Sequence, residues 1–328
     1  MLFRQLEYFV AVAREKHFAR AADACYVSQP ALSIAIAKLE RELNVTLINR
    51  GHNFEGLTPE GERLVVWAKR ILAEHDAFKA EVAVMRSGIT GTLRLGTGPT
   101  VSTTTALPVA AFCAMHPLAR VRVCSRLSSA ELVRQLLDFE LDAAIAHFGP
   151  DDREGVDVVP LYEEQYVLLV PGEHMVPARS TISWAEAAEL PLALLSPDMR
   201  FRQFIDSAFE SAGAVATPQV ETDSVAALYS HVATGAWASV VPHTWLNTMP
   251  VTGGTRAVRL IGPDARAPIS VAIRAATPGS VAARAFLNVV AGLSLDEVFV
   301  PEWPESAAGA GASEESHGGQ FAELRGAG

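Results

Sequence analysis

The 26 residues from Glu62 to Ser87 contain neither glycine nor proline, and Thr58-Pro59 just upstream supply a hydroxyl cap and a first-turn proline. One long helix is predicted from Pro59 to Ser87. At ~1.5 Å per residue it would reach roughly 43 Å, more than a small domain holds inside. Leu57, Gly61, Leu64, Ala68, Ile71, His75, Phe78, Val82 and Met85 recur every three or four positions along it, a heptad stripe sustained over four repeats. Such a stripe either lies on a core of its own chain or pairs with a second copy. Length favours pairing, so this helix is expected to build a dimer, with His75 a tolerated polar position on the seam.

The helix divides the chain into a short head and a long body, and the charge divides with it. The 328 residues carry 27 Lys+Arg against 37 Asp+Glu, net −10, which taken whole argues against a polyanionic partner such as DNA. Residues 1–87 hold 12 Lys+Arg and 11 Asp+Glu, net +1, so residues 88–328 hold 15 against 26, net −11. Any nucleic-acid contact is therefore confined to the head. The length exceeds the ~250 to 300 residues at which single cores stop growing, which implies two or more domains. Hydrophobic residues at 49% and charged residues at 20% exclude a disordered or collagen-like chain. No apolar run approaches the ~18 to 20 residues needed to cross a bilayer. MLFRQLEYFVAVAREKHFAR is no secretory leader, so no membrane partner is expected and the expected location is the cytoplasm. Cys25, Cys113 and Cys124 lack metal or redox spacing and read as small hydrophobes of a reducing compartment.

In the head, Leu6, Phe9, Val10 and Ala13 recur at helical spacing across Arg4 to Arg14, an amphipathic helix with one buried face. A short second helix carries Phe18, Ala21, Ala22 and Cys25 and ends at Tyr26-Val27. Ser28 caps a third helix with Pro30 in its first turn, along which Leu32, Ile36, Leu39 and Leu43 form one buried stripe. Outside that stripe Gln29 and Ser33 lie one turn apart, with Pro30 and Ala37 beside them. Short polar and methyl-bearing side chains suit major-groove base edges, where amides read adenine and methyl groups touch thymine. Helix, tight turn and polar-tipped helix make a helix-turn-helix. On periodicity alone, a three-helix packing module with solvated Gln29 and Ser33 fits equally well.

More residues break the tie. In Leu6, Phe9, Ala21-Ala22, Ser28-Gln29-Pro30-Ala31-Leu32-Ser33, Leu39-Glu40, Leu43, Leu47, Arg50 and Leu57-Thr58-Pro59-Glu60-Gly61, the head resembles the N-terminal domain of LysR-type transcriptional regulators. The resemblance implies that Ser28 to Ala37 is the recognition helix, that Asn49 to Leu57 is a wing beside the DNA backbone, and that the long helix is linker and dimer interface. The DNA-binding residues expected from it and from the helix pattern are Ser28, Gln29, Pro30, Ser33, Ala37, Lys38, Arg20, Arg50 and His52, with Arg41 a further cation. Paired helices would set two heads on half-sites about one DNA turn, ~34 Å, apart. Two positions depart from the family pattern. Ile34-Ala35 stand where a polar or basic residue usually follows the serine, which removes one expected DNA contact. Ile48 stands where phenylalanine is usual, a swap that keeps core volume.

From Gly91 onward short apolar strands alternate with helices. Strands are predicted at Thr92–Gly96, Val121–Ser125, Ala143–Ala146, Tyr166–Val170, Leu192–Leu195, Ser239–Val241 and Ile269–Arg274, and the alternation implies βαβ units in a mostly parallel sheet. Helices are predicted at about Thr103–Met115, Ala130–Phe139, Phe201–Ala212, Ser224–Ala233 and Ser280–Gly292. In LPLALLSP, VETDSVAALYSHVATGAWASVVP and Leu141-Asp142-Ala143 this body resembles the family's effector domain, which implies two lobes like those of periplasmic binding proteins with a ligand cleft between them. Ligands of such sheets sit at strand ends against helix N-termini, and this chain loads those places with hydroxyls. The expected effector-binding residues are Thr100, Ser102, Ser128, Ser129, Ser196, Arg202 and Thr222. The resemblance places a carboxylate-bearing effector on Thr100 and Ser129, and Arg200 and Arg202 lean the ligand towards a small organic anion. Hydroxyls at helix starts are also ordinary caps.

No catalytic set stands out: G-x-S-x-G, H-E-x-x-H and the P-loop are absent. Gly96-x-Gly98-x-x-Val101 follows a strand but lacks the third glycine of a dinucleotide turn, and Cys124-Ser125-Arg126 occupy the place of its acidic residue. His147 at a strand end could face the cleft as a local hydrogen-bond donor. A peroxide-sensing family member would carry a cysteine pair in the second lobe, and no cysteine follows Cys124. No metal, cofactor or enzymatic activity is expected.

The expected organisation is α/β overall: an N-terminal all-α winged helix-turn-helix over 1–58, a linker and dimerisation helix over 59–88, a two-lobed α/β periplasmic-binding-protein-like effector domain over 91–300, and a disordered tail over 301–328. Lobe I is expected at about 91–163 plus 268–300 and lobe II at about 164–267. The expected function is a sequence-specific regulator that binds double-stranded promoter DNA, responds to a small-molecule effector, self-associates as a dimer and by resemblance a tetramer, and contacts RNA polymerase. The rival is a cytosolic solute-binding or sensor protein with no promoter specificity.

Overall fold

A computed structural model of the chain describes residues 1–50, 54–125, 127–172, 175–176, 179–248, 254–275 and 279–300. The expectations for His52, for the Arg50 side chain and for the tail at 301–328 lie outside the described residues.

The head packs α1 (Phe3–Glu15), α2 (Phe18–Ala24) and α3 (Gln29–Leu43) against a two-stranded wing of β1 (Ile48–Arg50) and β2 (Phe54–Leu57). Phe9, Val12, Ala21, Leu32, Ile36, Leu39, Leu47 and Ile48 close over one core, each at 1% exposure or less. Helices this short are marginal alone, so burial at about 1.5–3 kcal/mol per large apolar side chain is what holds them. Leu43, expected on the buried stripe, is exposed instead, because the helix ends one residue later at Asn44, which turns left-handed at φ 52°. The wing is tied to α3 by the Glu40 carboxylate, which accepts from the N–H groups of Leu47 (2.9 Å) and Ile48 (3.3 Å).

The long helix α4 (Pro59–Ser87) forms over the predicted span, with Thr58 accepting from the Gly61 N–H at 2.9 Å and donating to the Thr46 carbonyl at 2.7 Å. Gly61 is needed there, since a Cβ would overlap the Leu47 carbonyl. The heptad stripe proves to serve two surfaces. Its first half, Leu64, Ala68 and Ile71, packs on the chain's own head core, and His75 stacks on Phe3 with ring centres 4.0 Å apart. Its second half stays bare: Phe78 is 68% exposed and Met85 80%, and Trp67 on the flank is exposed too. The other flank docks on the body through Lys69 beside Asp138 and Glu140 (3.6 and 3.5 Å) and Glu81 with Arg284 (2.9 Å).

The body begins with β3 (Gly91–Thr97), α5 (Ala106–Met115), β4 (Ala119–Cys124), α6 (Ser129–Leu137), β5 (Ala143–Ala146) and β6 (Val156–Pro171). It continues through β7 (Thr181–Ser183), α7 (Trp184–Ala188), β8 (Ala193–Leu195), α8 (Arg200–Ser211), β9 (Val220–Thr222), α9 (Val225–Ala233), β10 (Ser239–Pro242) and α10 (Trp245–Thr248). It ends with β11 (Thr255–Ile261), β12 (Arg266–Arg274), α11 (Val281–Ala291) and α12 (Leu295–Val298).

The expected mostly parallel sheet is corrected to a mixed one. Among the described strands β3–β4, β3–β5, β7–β11 and β8–β9 pair parallel, whereas β5–β12, β6–β12, β6–β10 and β6–β11 pair antiparallel. Helical crossovers make the parallel pairs, and the antiparallel ones all involve β6 or β12, which run between the two halves without a helix. The strand expected to start at Tyr166 in fact starts ten residues earlier, at Val156. Pro160 masked its first half: it lacks the ladder N–H and sits where the register with β12 shifts, Ile269 facing Tyr162 and Ser270 facing Pro160. From Val156 to Gln165, β6 pairs β12 over one hydrophobic cluster that includes Leu95, Phe112, Ile145 and Phe286. From Tyr166 to Pro171 it pairs β10 and β11 over another that includes Trp184, Phe209, Val240 and Trp245.

Candidate functional site

Two surfaces carry function-bearing side chains. On the head, Ser28 has extended backbone and its hydroxyl accepts from the Ala31 N–H, which sets the first turn of α3 at the surface. Gln29, Pro30 and Lys38 are exposed or half-buried, as are Ser33 and Ala37, along a face opposite Leu32, Ile36 and Leu39. Arg41 is exposed one turn past Ala37 and donates to its carbonyl at 3.4 Å. One Arg20 amino group donates to the Glu15 carbonyl at 2.6 Å, so this side chain also closes the end of α1. Two residues that periodicity passed over stand beside this face. Tyr26 is 96% exposed in the turn, at φ 54°, and Ile34 is exposed on α3. A non-glycine residue at positive φ is the signal that marks Tyr26 out, and it is visible only in the backbone.

On the body, a cavity of about 220 Å³ opens between the two halves. One wall is Gly98 to Val101, Leu127 to Ser129, Glu131, Ala146 and His147, and the other is Asp198 to Phe201 with Asp223. It is smaller than the roughly 300–1,000 Å³ of drug-sized sites, which suits a small metabolite. Val101, Leu127, Ala146, Met199 and Phe201 are its apolar lining, and the N-terminal ends of α6 and α8 border it. Ser128 and Glu131 cap α6 reciprocally, and the Ser128 N–H and hydroxyl hold the Glu131 carboxyl below the usual carboxylate range. At α8 the cap position is Met199, whose side chain accepts nothing. The first N–H groups of α8 therefore lack a side-chain cap among the described residues, and they favour an anion.

The expected effector residues divide. Thr100, Ser128 and Ser129 line the cavity. Thr100 is 4% exposed, and its hydroxyl has no hydrogen-bond partner among the described residues. Ser129 donates to the His147 carbonyl at 2.7 Å. Ser102, Ser196, Arg202 and Thr222 do not line the cavity. Ser102 donates to the Pro99 carbonyl at 2.8 Å, and Thr222 accepts from the Ser224 N–H at 3.2 Å while its carbonyl receives the Ser196 N–H at 2.9 Å. Arg202 is buried and committed, donating to the Leu195 carbonyl (2.7 Å), Asp206 (2.8 Å) and Glu221 (2.9 Å). Burial works against its charge, and the two carboxylates more than offset that, raising its pKa. Among the described lining residues the cation is Arg200, two positions before it, whose guanidinium crosses to rest on Gly149, where a Cβ would block it. Helical spacing puts residues 200 and 202 on different faces of α8, and only the fold says which face meets the cleft.

Residues 86–293 match the LysR substrate binding domain family and residues 3–62 the bacterial regulatory helix-turn-helix protein, lysR family. The chain belongs to the LysR family of transcriptional regulators. It is 30% identical over 309 residues to a hydrogen peroxide-inducible genes activator of Haemophilus influenzae, covering 91% of this chain and 97% of that protein. Among solved structures it resembles full-length OxyR from Pseudomonas aeruginosa (TM-score 0.73, 25% identity, 90% of this chain and 96% of that one). It also resembles full-length CbnR complexed with its target DNA (TM-score 0.62, 25% identity, 89% and 99%). This LysR-type chain thus joins a helix-turn-helix DNA-binding domain to an effector-binding domain. No cysteine lines its cavity among the described residues: Cys113 lies on α5, Cys124 on β4 and Cys25 caps α2. Among the described residues no helix is long and apolar enough to cross a membrane.

Proposed function

We propose that this LysR-type regulator binds a promoter in the cytoplasm as a dimer, inserting the N-terminal end of α3 into the major groove, and that its cleft holds a small organic anion without covalent chemistry. Gln29, Pro30, Ser33 and Ala37 would meet base edges, while Ser28, Lys38, Arg20, Arg41, Arg50 and His52 would serve the backbone. Tyr26 joins the backbone set, since tyrosine hydroxyls are common phosphate donors. In the cleft, Thr100, Ser128, Ser129 and Arg200 form the ligand set, and Arg200 replaces Arg202. The domain limits 1–58, 59–88 and 91–300 follow the same division of labour. Assembly into a tetramer through the bodies and contact with RNA polymerase complete the reading.

The observation that carries the ligand part is the Thr100 hydroxyl on the cavity wall, without a partner among the described residues, beside an uncapped helix end and Arg200. A hydroxyl that faces the cleft without a protein partner is available to a ligand oxygen, and such a hydrogen bond contributes about 0.5–1.5 kcal/mol net. Although one relative is a hydrogen peroxide-inducible activator, the described residues of this chain offer the cleft no thiol to oxidise. A gel-shift titration against the DNA upstream of its own gene tests the first part: salt-dependent preference over random DNA is expected, and equal affinity for both would refute it. A thermal-shift screen of small carboxylates tests the second. A true ligand at ~100 times its dissociation constant adds ~2.7 kcal/mol, and Thr100→Val should remove that gain while leaving DNA binding unchanged. Retention of the gain in Thr100→Val would exclude the hydroxyl from the site.

A further inference from the structure

Behind the cavity, three of its lining residues converge on Thr244 and Trp245 of the second half, Thr100 and His147 from across the cleft and Phe201 from the same half. The Trp245 indole N–H donates to the Thr100 carbonyl at 2.9 Å. The Phe201 ring lies nearly parallel to the Trp245 ring, 14° between planes and 6.5 Å between centres. The third path runs through His147: its Nε2 is 3.3 Å from Glu164 Oε2, and the Thr244 hydroxyl donates to Glu164 Oε1 at 3.3 Å. Glu164, Thr244 and Trp245 are each 0% exposed. These are costly groups to bury unless they hold each other in place.

The third path also has a second anchor. His147 Nδ1 faces the Pro268 carbonyl at 3.1 Å, while Nε2 faces the Glu164 carboxylate. His147, following β5, is thereby bonded to both strands that join the halves, through Glu164 on β6 and Pro268 on β12.

We infer that the Thr244–Trp245 corner is the coupling element of this regulator: it clamps the Thr100 and His147 wall of the cavity to the second half, so that a change at that wall reaches β6, β12 and the bound DNA. This rests on the proposed function, and it names positioning residues that no ligand need touch.

Two substitutions remove one hydrogen bond each: Trp245→Phe, which keeps an aromatic ring, and Thr244→Val, which keeps the side-chain shape. The control is Trp184→Phe, which loses the same volume from a comparably buried site; Trp184 gives its N–H to the Pro263 carbonyl at 3.0 Å and does not line the cavity. Hydrogen exchange of the full chain without DNA is expected to speed about tenfold at residues 98–105 in Trp245→Phe, with the head unchanged and no effect there in Trp184→Phe. A nuclease footprint on the upstream DNA is expected to change in length or bend in Trp245→Phe and Thr244→Val and to match wild type in Trp184→Phe. Unaltered exchange at 98–105 in Trp245→Phe would overturn the coupling, as would a control that perturbs exchange or footprint equally. If wild type leaves no footprint, the promoter reading fails, and the DNA-free exchange still decides whether the corner clamps the wall.

Discussion

Gln29 stands at the first position of α3 with its amide in solvent and no part in the head core, so its removal should cost little stability. Gln29→Ala is expected to weaken binding to the specific site by about 1–3 kcal/mol and leave binding to random DNA unchanged. Competitive gel shifts measure both, and an equal loss on the two DNAs would assign Gln29 to the backbone. At this scale the sequence was legible where a side chain's role follows from its own helix. The Ser28 cap, the buried Leu32–Ile36–Leu39 stripe and the exposed Gln29 needed only a period and a start. It was illegible where the role depends on a partner far along the chain. Arg200 and Arg202 are near neighbours with the same charge, and what separates them is Glu221 on β9 and Gly149 across the cleft. His147 is likewise defined by Glu164, Pro268 and, one step further, Thr244.

At the scale of elements, α4 shows how one periodicity can satisfy two masters. Seven-residue spacing says that a face is buried and not against what. In this chain the lower turns meet the head core, and the upper turns, with Phe78, Val82 and Met85, are left for another surface. Phe78→Glu should therefore convert the dimer to monomer, measured by analytical ultracentrifugation, with the melting temperature of the head moved by no more than a surface change would move it. A dimer that survives this charge would place the seam elsewhere, for instance on the bare outer face of α5 at Ala110, Ala114 and Met115. The longer helices were readable because 3.6-residue periodicity and caps are local signals, whereas the short α7, α10 and α12, of four or five residues, went unpredicted. Strands β7, β9 and β11 went unseen. β7 and β9 span three residues each, too short for a period-two alternation to show, and all three strands depend on partners found only after folding.

For the whole molecule, a head of net +1 on a body of net −11 limits how many phosphates one copy can neutralise. Each phosphate contact contributes about −0.9 to the slope of log affinity against log salt. The dimer should show about twice the slope of the monomeric Phe78→Glu variant, and equal slopes would mean that one head alone carries the DNA contact. Domain order and the presence of a two-part body were visible from charge, helix length and resemblance. The way the parts of the body are joined was not, because Pro160 reads locally as a break.

That join has a mechanical consequence. β6 and β12 stay paired right up to the crossing, with Tyr162 facing Ile269 and, nearest the second half, Gln165 facing Arg266. Two paired ribbons resist bending in their own plane and yield mainly by twisting. The halves are thus joined by two hydrogen-bonded strands and not by a single flexible link, so one half can turn against the other only by twisting that ribbon as a unit.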